Sequence, residues 1–126
     1  MFKVNDLVQE LISGIEEGRI LPTALLSSLD VDAYLDASDA DEVWSKQWND
    51  AYSQISDVPN DEIVGYEKLD QLVFSKCTEH FGISDMSCYT TEDFELLCKS
   101  AKKGITSEWL DELRQIYLSG SIPLAP

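Results

Sequence analysis

Apolar residues recur every three to four positions along most of this chain, and no stretch alternates between apolar and polar residues for more than a few positions. A period of three to four gives a helix one apolar face, whereas a strand needs a period of two. The segment VNDLVQELISGI at 4–15 is the clearest example, because its apolar residues share one side of a helix and most of its polar residues the other. The pattern predicts an all-α fold.

Glycine, proline and capping residues divide this pattern into about five to six helices. We expect a helix from near Asn5 to Gly18, then helices over 23–29, 40–55 and 61–81, and two more that end at Gly104 and near Gly120. Residues 30–39 are expected to form a short helical turn or loop, and residues 83–89 a loop. The expected capping residues are Ser38 or Asp39, Asn60, Thr90 or Thr91, and Ser107.

Length and composition fit one folded unit. A chain of 126 residues has the size of an ordinary domain, and its 44% hydrophobic content is enough to build a core. We therefore expect residues 1–126 to form a single-domain helical bundle. The N-terminus lacks the uninterrupted apolar stretch of a signal peptide, which predicts a cytoplasmic protein.

The charge of the chain is strongly negative and unevenly distributed. The sequence contains 24 acidic and 9 basic residues, a formal charge of −15, and residues 30–42 include six acids and no base. Such a charge opposes binding to nucleic acids and to anionic membranes. The acids could serve as helix caps, turn residues and a solubilising surface, or they could form a surface for a basic protein partner.

An aromatic stripe follows the acids directly. Trp44, Trp48 and Tyr52 are four residues apart and therefore share one helix face. Such rings are commonly buried in a core, but tryptophan and tyrosine also dominate binding hot spots. The candidate residues for binding a partner are Asp32, Asp36, Asp39, Asp41, Glu42, Trp44 and Trp48.

The sequence offers little for catalysis or metal binding, and we predict no catalytic residue, metal or cofactor. His80 is the only histidine, and the three cysteines are expected to be free thiols, mostly buried. Zinc binding by Cys77, His80, Cys88 and Cys98 is disfavoured because the ligands do not form two tight pairs. A remaining alternative is a small helical enzyme or ligand-binding domain with a pocket around Tyr66, Cys77 and His80.

Size, acidity, the lack of catalytic motifs and the tail WLDELRQIYLSGSIP at 109–123 together resemble the small acidic immunity proteins of bacteria. These proteins neutralise cognate toxins of contact-dependent inhibition systems or bacteriocins, and they have many unrelated folds. The resemblance implies a protein that binds a toxin domain, often a basic nuclease, and covers its active site or substrate channel. We expect it to be a monomer before the complex forms. Two alternatives are a phage-type inhibitor that mimics nucleic acid and a helical adaptor whose acidity serves only solubility.

Overall fold

The computed structural model describes residues 4–82 and 85–123, and all regular structure within them is helical. The all-α class is confirmed, with one more α-helix than the upper limit we expected. None of the helices in the described part is both long and apolar enough to cross a membrane. The elements are α1 (Val4–Glu16), α2 (Thr23–Ser28), α3 (Val31–Ala40), α4 (Glu42–Ser53), a 3₁₀ turn (Asn60–Glu62), α5 (Tyr66–Phe81), α6 (Asp85–Lys103) and α7 (Glu108–Leu118).

Helix α6 lies at the centre of the fold and packs against α1, α3, α4, α5 and α7. Its apolar side chains Phe94, Leu96 and Leu97 are buried in a cluster that extends from Leu7 on α1 to Ile122 beyond α7. The apolar stripe predicted for α1 is buried as expected. The same central helix also carries buried polar residues, and these position the site described below.

Residues 30–39 form most of a ten-residue helix rather than the short turn or loop that we expected. Asp30 caps α3 by accepting a hydrogen bond from the backbone nitrogen of Ala33 at 3.1 Å. Asp41, and not Ser38 or Asp39, caps α4 by accepting from the backbone nitrogen of Trp44 at 2.9 Å. The aspartates that suggested a loop are therefore partly helix-start residues, where a carboxylate is favourable.

Helix α6 begins at Asp85, so residues 85–89 are helical and the loop predicted over 83–89 is wrong for that part. Residues 83 and 84 lie outside the described residues. Thr90 and Thr91 are inside the helix and do not cap it. Their hydroxyl groups donate to the carbonyl oxygens of Met86 and Ser87, at 2.9 and 2.8 Å. Bonding to the carbonyl four residues earlier satisfies a threonine within a helix.

The helix predicted over 61–81 is interrupted at Gly65. This residue has a φ of +82°, so the chain forms a 3₁₀ turn first and α5 begins only at Tyr66. A Cβ atom at Gly65 would also lie 3.3 Å from Val8 Cγ1 on α1. The glycine therefore permits both the left-handed backbone and the close approach of α1. The cap predicted at Ser107 is confirmed by its bond from the Leu110 nitrogen at 3.1 Å.

We expect Gly65→Ala to lower the free energy of unfolding more than Gly18→Ala does. Both positions have a left-handed backbone, which costs a residue with a side chain about 1–2 kcal/mol. Only Gly65 adds a tight contact with α1, because nothing lies within 4 Å of a Cβ at Gly18. Urea denaturation of the two variants measures the difference. If both variants lose the same free energy of unfolding, the contact with Val8 does not contribute to stability.

Candidate partner-binding site

The acids of 30–42 divide into two groups. Asp30 and Asp41 cap helices, as described above. Asp32, Asp36, Asp39 and Glu42 are exposed on α3 and at the start of α4, and we call these four residues the acidic surface. None of the four forms a salt bridge with another residue within 4–82 and 85–123. Their charges therefore remain available to an external cation.

Trp44 and Trp48 are half-buried, so each has one part in the fold and another at the surface. The ring of Trp44 packs against buried Trp109, with 5.1 Å between centroids and an interplanar angle of 60°. The ring of Trp48 stacks on Tyr52, with 4.9 Å between centroids and an angle of 9°. The two interpretations of the stripe, as core and as contact surface, are thus compatible in this geometry.

Asp93 on α6 connects three helices through its carboxyl group. Its Oδ1 accepts from Trp48 Nε1 on α4 at 2.9 Å, and its Oδ2 accepts from the Tyr117 hydroxyl on α7 at 2.5 Å. Only 7% of Asp93 is exposed. Burial raises the pKa of Asp93 to about 7, against the opposing effect of the two hydrogen bonds. This acid is therefore partly protonated at neutral pH, and a nearby cation would favour its ionised form.

A second polar chain holds α4 to α6. The Tyr52 hydroxyl donates to Glu95 Oε1 at 2.5 Å, and Lys99 Nζ donates to Glu95 Oε2 at 2.6 Å. Helix α4 has no fully buried residue, and its side chains Trp44, Trp48, Ala51 and Tyr52 pack only partly buried against the core. Hydrogen bonds from Trp48 and Tyr52 to α6 add to this apolar packing and fix the orientation of both rings.

A pocket of about 210 Å³ lies where α3, α4 and α6 meet the chain after α7. It brings together Asp39, Trp44 and Trp48 from the predicted binding residues, whereas Asp32, Asp36, Asp41 and Glu42 do not line it. We call it the aromatic pocket. It is lined by Tyr34, Ser38, Asp39, Trp44, Ser45, Trp48, Asn49, Tyr89, Asp93 and Pro123.

The alternative pocket around Tyr66, Cys77 and His80 has no counterpart in the two described pockets. The second pocket, of about 240 Å³, lies among α1, α6 and α7 and is lined by none of these three residues. All three cysteines are free, as expected; Cys77 and Cys98 are buried and Cys88 is exposed. Burial raises the pKa of Cys77 to about 11, which disfavours the nucleophilic thiolate.

Metal binding finds no geometric support among the described residues. Within 4–82 and 85–123, no three histidine, cysteine, aspartate or glutamate side chains come together in a group that could hold an ion. Cys77, His80, Cys88 and Cys98 therefore do not assemble into the four-ligand arrangement that zinc requires.

Comparison with known families assigns the chain to the toxin-immunity proteins, as its resemblance to them had suggested. A family model described as Immunity protein PIM1 matches residues 10–124, almost the entire chain. The chain belongs to this immunity protein PIM1 family. No curated protein and no solved structure matches it. An immunity protein binds a cognate toxin, so the family supports an inhibitor rather than an enzyme.

Proposed function

We propose that this immunity protein is a stoichiometric inhibitor that covers a basic toxin domain with its acidic surface. The partner is a nuclease, the complex forms in the cytoplasm from a monomeric inhibitor, and binding blocks the active site or the substrate channel. One observation carries the proposal. Asp32, Asp36, Asp39 and Glu42 are exposed without a salt bridge to any described residue, beside the open aromatic pocket.

The physical basis is competition for the same positive charges. A nuclease holds its substrate through lysine and arginine side chains that contact phosphates. A protein surface with several uncompensated carboxylates attracts those side chains, accelerates the encounter and fixes the orientation of docking. Trp44 and Trp48 then exclude water from the centre of the contact, as aromatic anchors do in hot spots. The toxin would be unable to bind nucleic acid while the inhibitor is in place.

We expect the triple variant Asp32→Asn, Asp36→Asn, Asp39→Asn to associate more slowly with the cognate toxin domain. The variant removes three exposed charges but keeps the caps at Asp30 and Asp41. Stopped-flow association rates at several salt concentrations test this. The rate for the wild type should fall as salt rises, because charges are screened over about 8 Å at physiological ionic strength. The rate for the variant should depend less on salt.

A control variant separates the acidic surface from the overall charge. Glu62→Gln, Glu79→Gln and Glu112→Gln remove the same number of exposed charges from the 3₁₀ turn, α5 and α7. We expect this control to retain most of the wild-type rate. Equal slowing by both variants would indicate a non-specific charge effect. If the triple Asn variant associates at the wild-type rate at low salt, the acidic surface is not part of the interface.

A further inference from the structure

The aromatic pocket offers rings and hydrogen-bond acceptors but no positive charge. Its ten lining residues comprise four aromatic side chains, two carboxylates, two serines, one asparagine and one proline. Electron-rich ring faces attract cations, and so do carboxylates. A bound anion would meet two acidic groups with no basic one to offset them. The lining therefore selects for a positively charged group.

The size of the pocket matches a single side chain. Its volume of about 210 Å³ is below the lower limit of roughly 300 Å³ for typical small-molecule sites. Among the lining residues, Tyr34 and Asp93 are only 8% and 7% exposed, whereas Tyr89 is 39% exposed, so the lining includes both buried and surface side chains. A long side chain that entered from a bound protein could thus place its charged end against Asp93.

We propose that the aromatic pocket receives one arginine side chain of the toxin domain, with the guanidinium against the rings of Trp44 and Trp48 and between the carboxylates of Asp39 and Asp93. This inference rests on the proposed function and specifies which group of the partner the surface recognises. Arginine fits better than lysine because its planar guanidinium stacks on aromatic rings and presents five N–H donors. In the ionised form that a bound cation favours, each oxygen of Asp93 accepts one hydrogen bond within the protein and keeps a second lone pair for such a donor.

The pocket is formed before any ligand arrives. Asp93 and the Tyr52 stack hold the Trp48 ring, and Glu95 in turn holds the Tyr52 hydroxyl. Trp44 is held by its contact with Trp109. Fixed rings lose little conformational entropy on binding, so a preformed pocket gains affinity for the group that fits it.

The test is a titration of the isolated chain with N-acetyl-arginine methylamide, followed by NMR of the Trp44 and Trp48 indole N–H signals. There are two matched ligand controls. The citrulline derivative has the same planar shape without the charge, and the lysine derivative has the charge without a planar guanidinium group. We expect saturable shifts of both signals with arginine, weaker binding of lysine and none of citrulline. Asp39→Asn should weaken arginine binding by about fivefold, whereas Asp36→Asn, which makes the same change outside the pocket, should not.

The proposal is overturned if arginine gives no saturable shift, or if citrulline shifts the same signals equally. Equal affinity of the lysine derivative would overturn the assignment to arginine. If Asp36→Asn and Asp39→Asn weaken arginine binding equally, the loss is a general effect of charge and Asp39 makes no specific contact in the pocket. If arginine does not bind but the triple Asn variant still slows toxin association, the pocket proposal fails and the proposed function stands. The proposed function fails instead if the triple variant associates at the wild-type rate.

Discussion

Asp93→Ala is expected to destabilise the fold by about 2–6 kcal/mol, because each of two donors left without an acceptor costs about 1–3 kcal/mol. The alanine would leave both Trp48 Nε1 and the Tyr117 hydroxyl without their partner. It would also loosen α4, which has no fully buried residue of its own. Urea denaturation at pH 6 measures the loss. Asp93→Asn should cost less, since the amide can bond with both groups.

Asp93 should also give the stability a specific dependence on pH. Its pKa is raised from 3.8 to about 7 in the folded chain, so between these values the folded chain holds a proton that the unfolded chain has lost. The stabilisation from this group is therefore complete below pH 3.8 and is lost as the pH rises through about 7. The limiting slope for one proton is roughly 1.4 kcal/mol per pH unit.

Comparison with Asp93→Asn isolates this slope, because the asparagine does not titrate. Tyr34 on α3, Tyr117 on α7 and Glu92 on α6 interact electrostatically with Asp93, and Asp39 on α3 lines the same pocket. These groups are present in both proteins, so their own titrations cancel to first order. Between about pH 4 and pH 7, wild-type stability should fall relative to the variant. Parallel curves would contradict the raised pKa of Asp93.

Much of the fold could be predicted because helix periodicity and caps are local signals. The stripe of α1 and the cap at Ser107 depend only on residues within a few positions of each other. The wrong predictions came from residue types that are common in two different local structures. Asp30 begins a helix although aspartate is also common in loops, and Thr90 bonds within a helix although threonine is also a common cap. Only the surrounding packing decides which of the two local structures such a residue adopts.

The candidate site was only partly predictable for a different reason. Asp39, Trp44 and Trp48 belong to one short acidic and aromatic stretch, whereas Tyr34, Tyr89 and Asp93 reach the pocket from positions that suggested no function. One signal was present for Asp93. It lies three residues after Thr90 and four before Leu97, so a carboxyl group falls among the inward-facing positions of α6. Nothing local could show that Trp48, 45 residues away, supplies its donor.

Trp48→Ala is expected to weaken toxin binding by at least about 2 kcal/mol, the loss typical of a hot-spot ring. The change removes a pocket wall, the stack on Tyr52 and the hydrogen bond to Asp93. The loss should appear mainly as faster dissociation, since long-range attraction by the acidic surface is unchanged. Surface plasmon resonance with the cognate toxin domain measures both rates.

The effect of Trp48→Ala on binding must be separated from its effect on folding. Trp48→Ala should also lower stability, but by less than the roughly 3–5 kcal/mol lost with a fully buried ring, because Trp48 is only half-buried. Two further variants make this separation. Trp48→Phe can keep the stack on Tyr52 while losing the donor to Asp93, so it should retain more of the affinity than alanine does. Phe74→Ala, at a 37% exposed ring on α5, is the matched aromatic control and should leave dissociation unchanged. If Trp48→Ala dissociates at the wild-type rate while thermal melts show it folded, Trp48 supports the fold and does not contact the toxin.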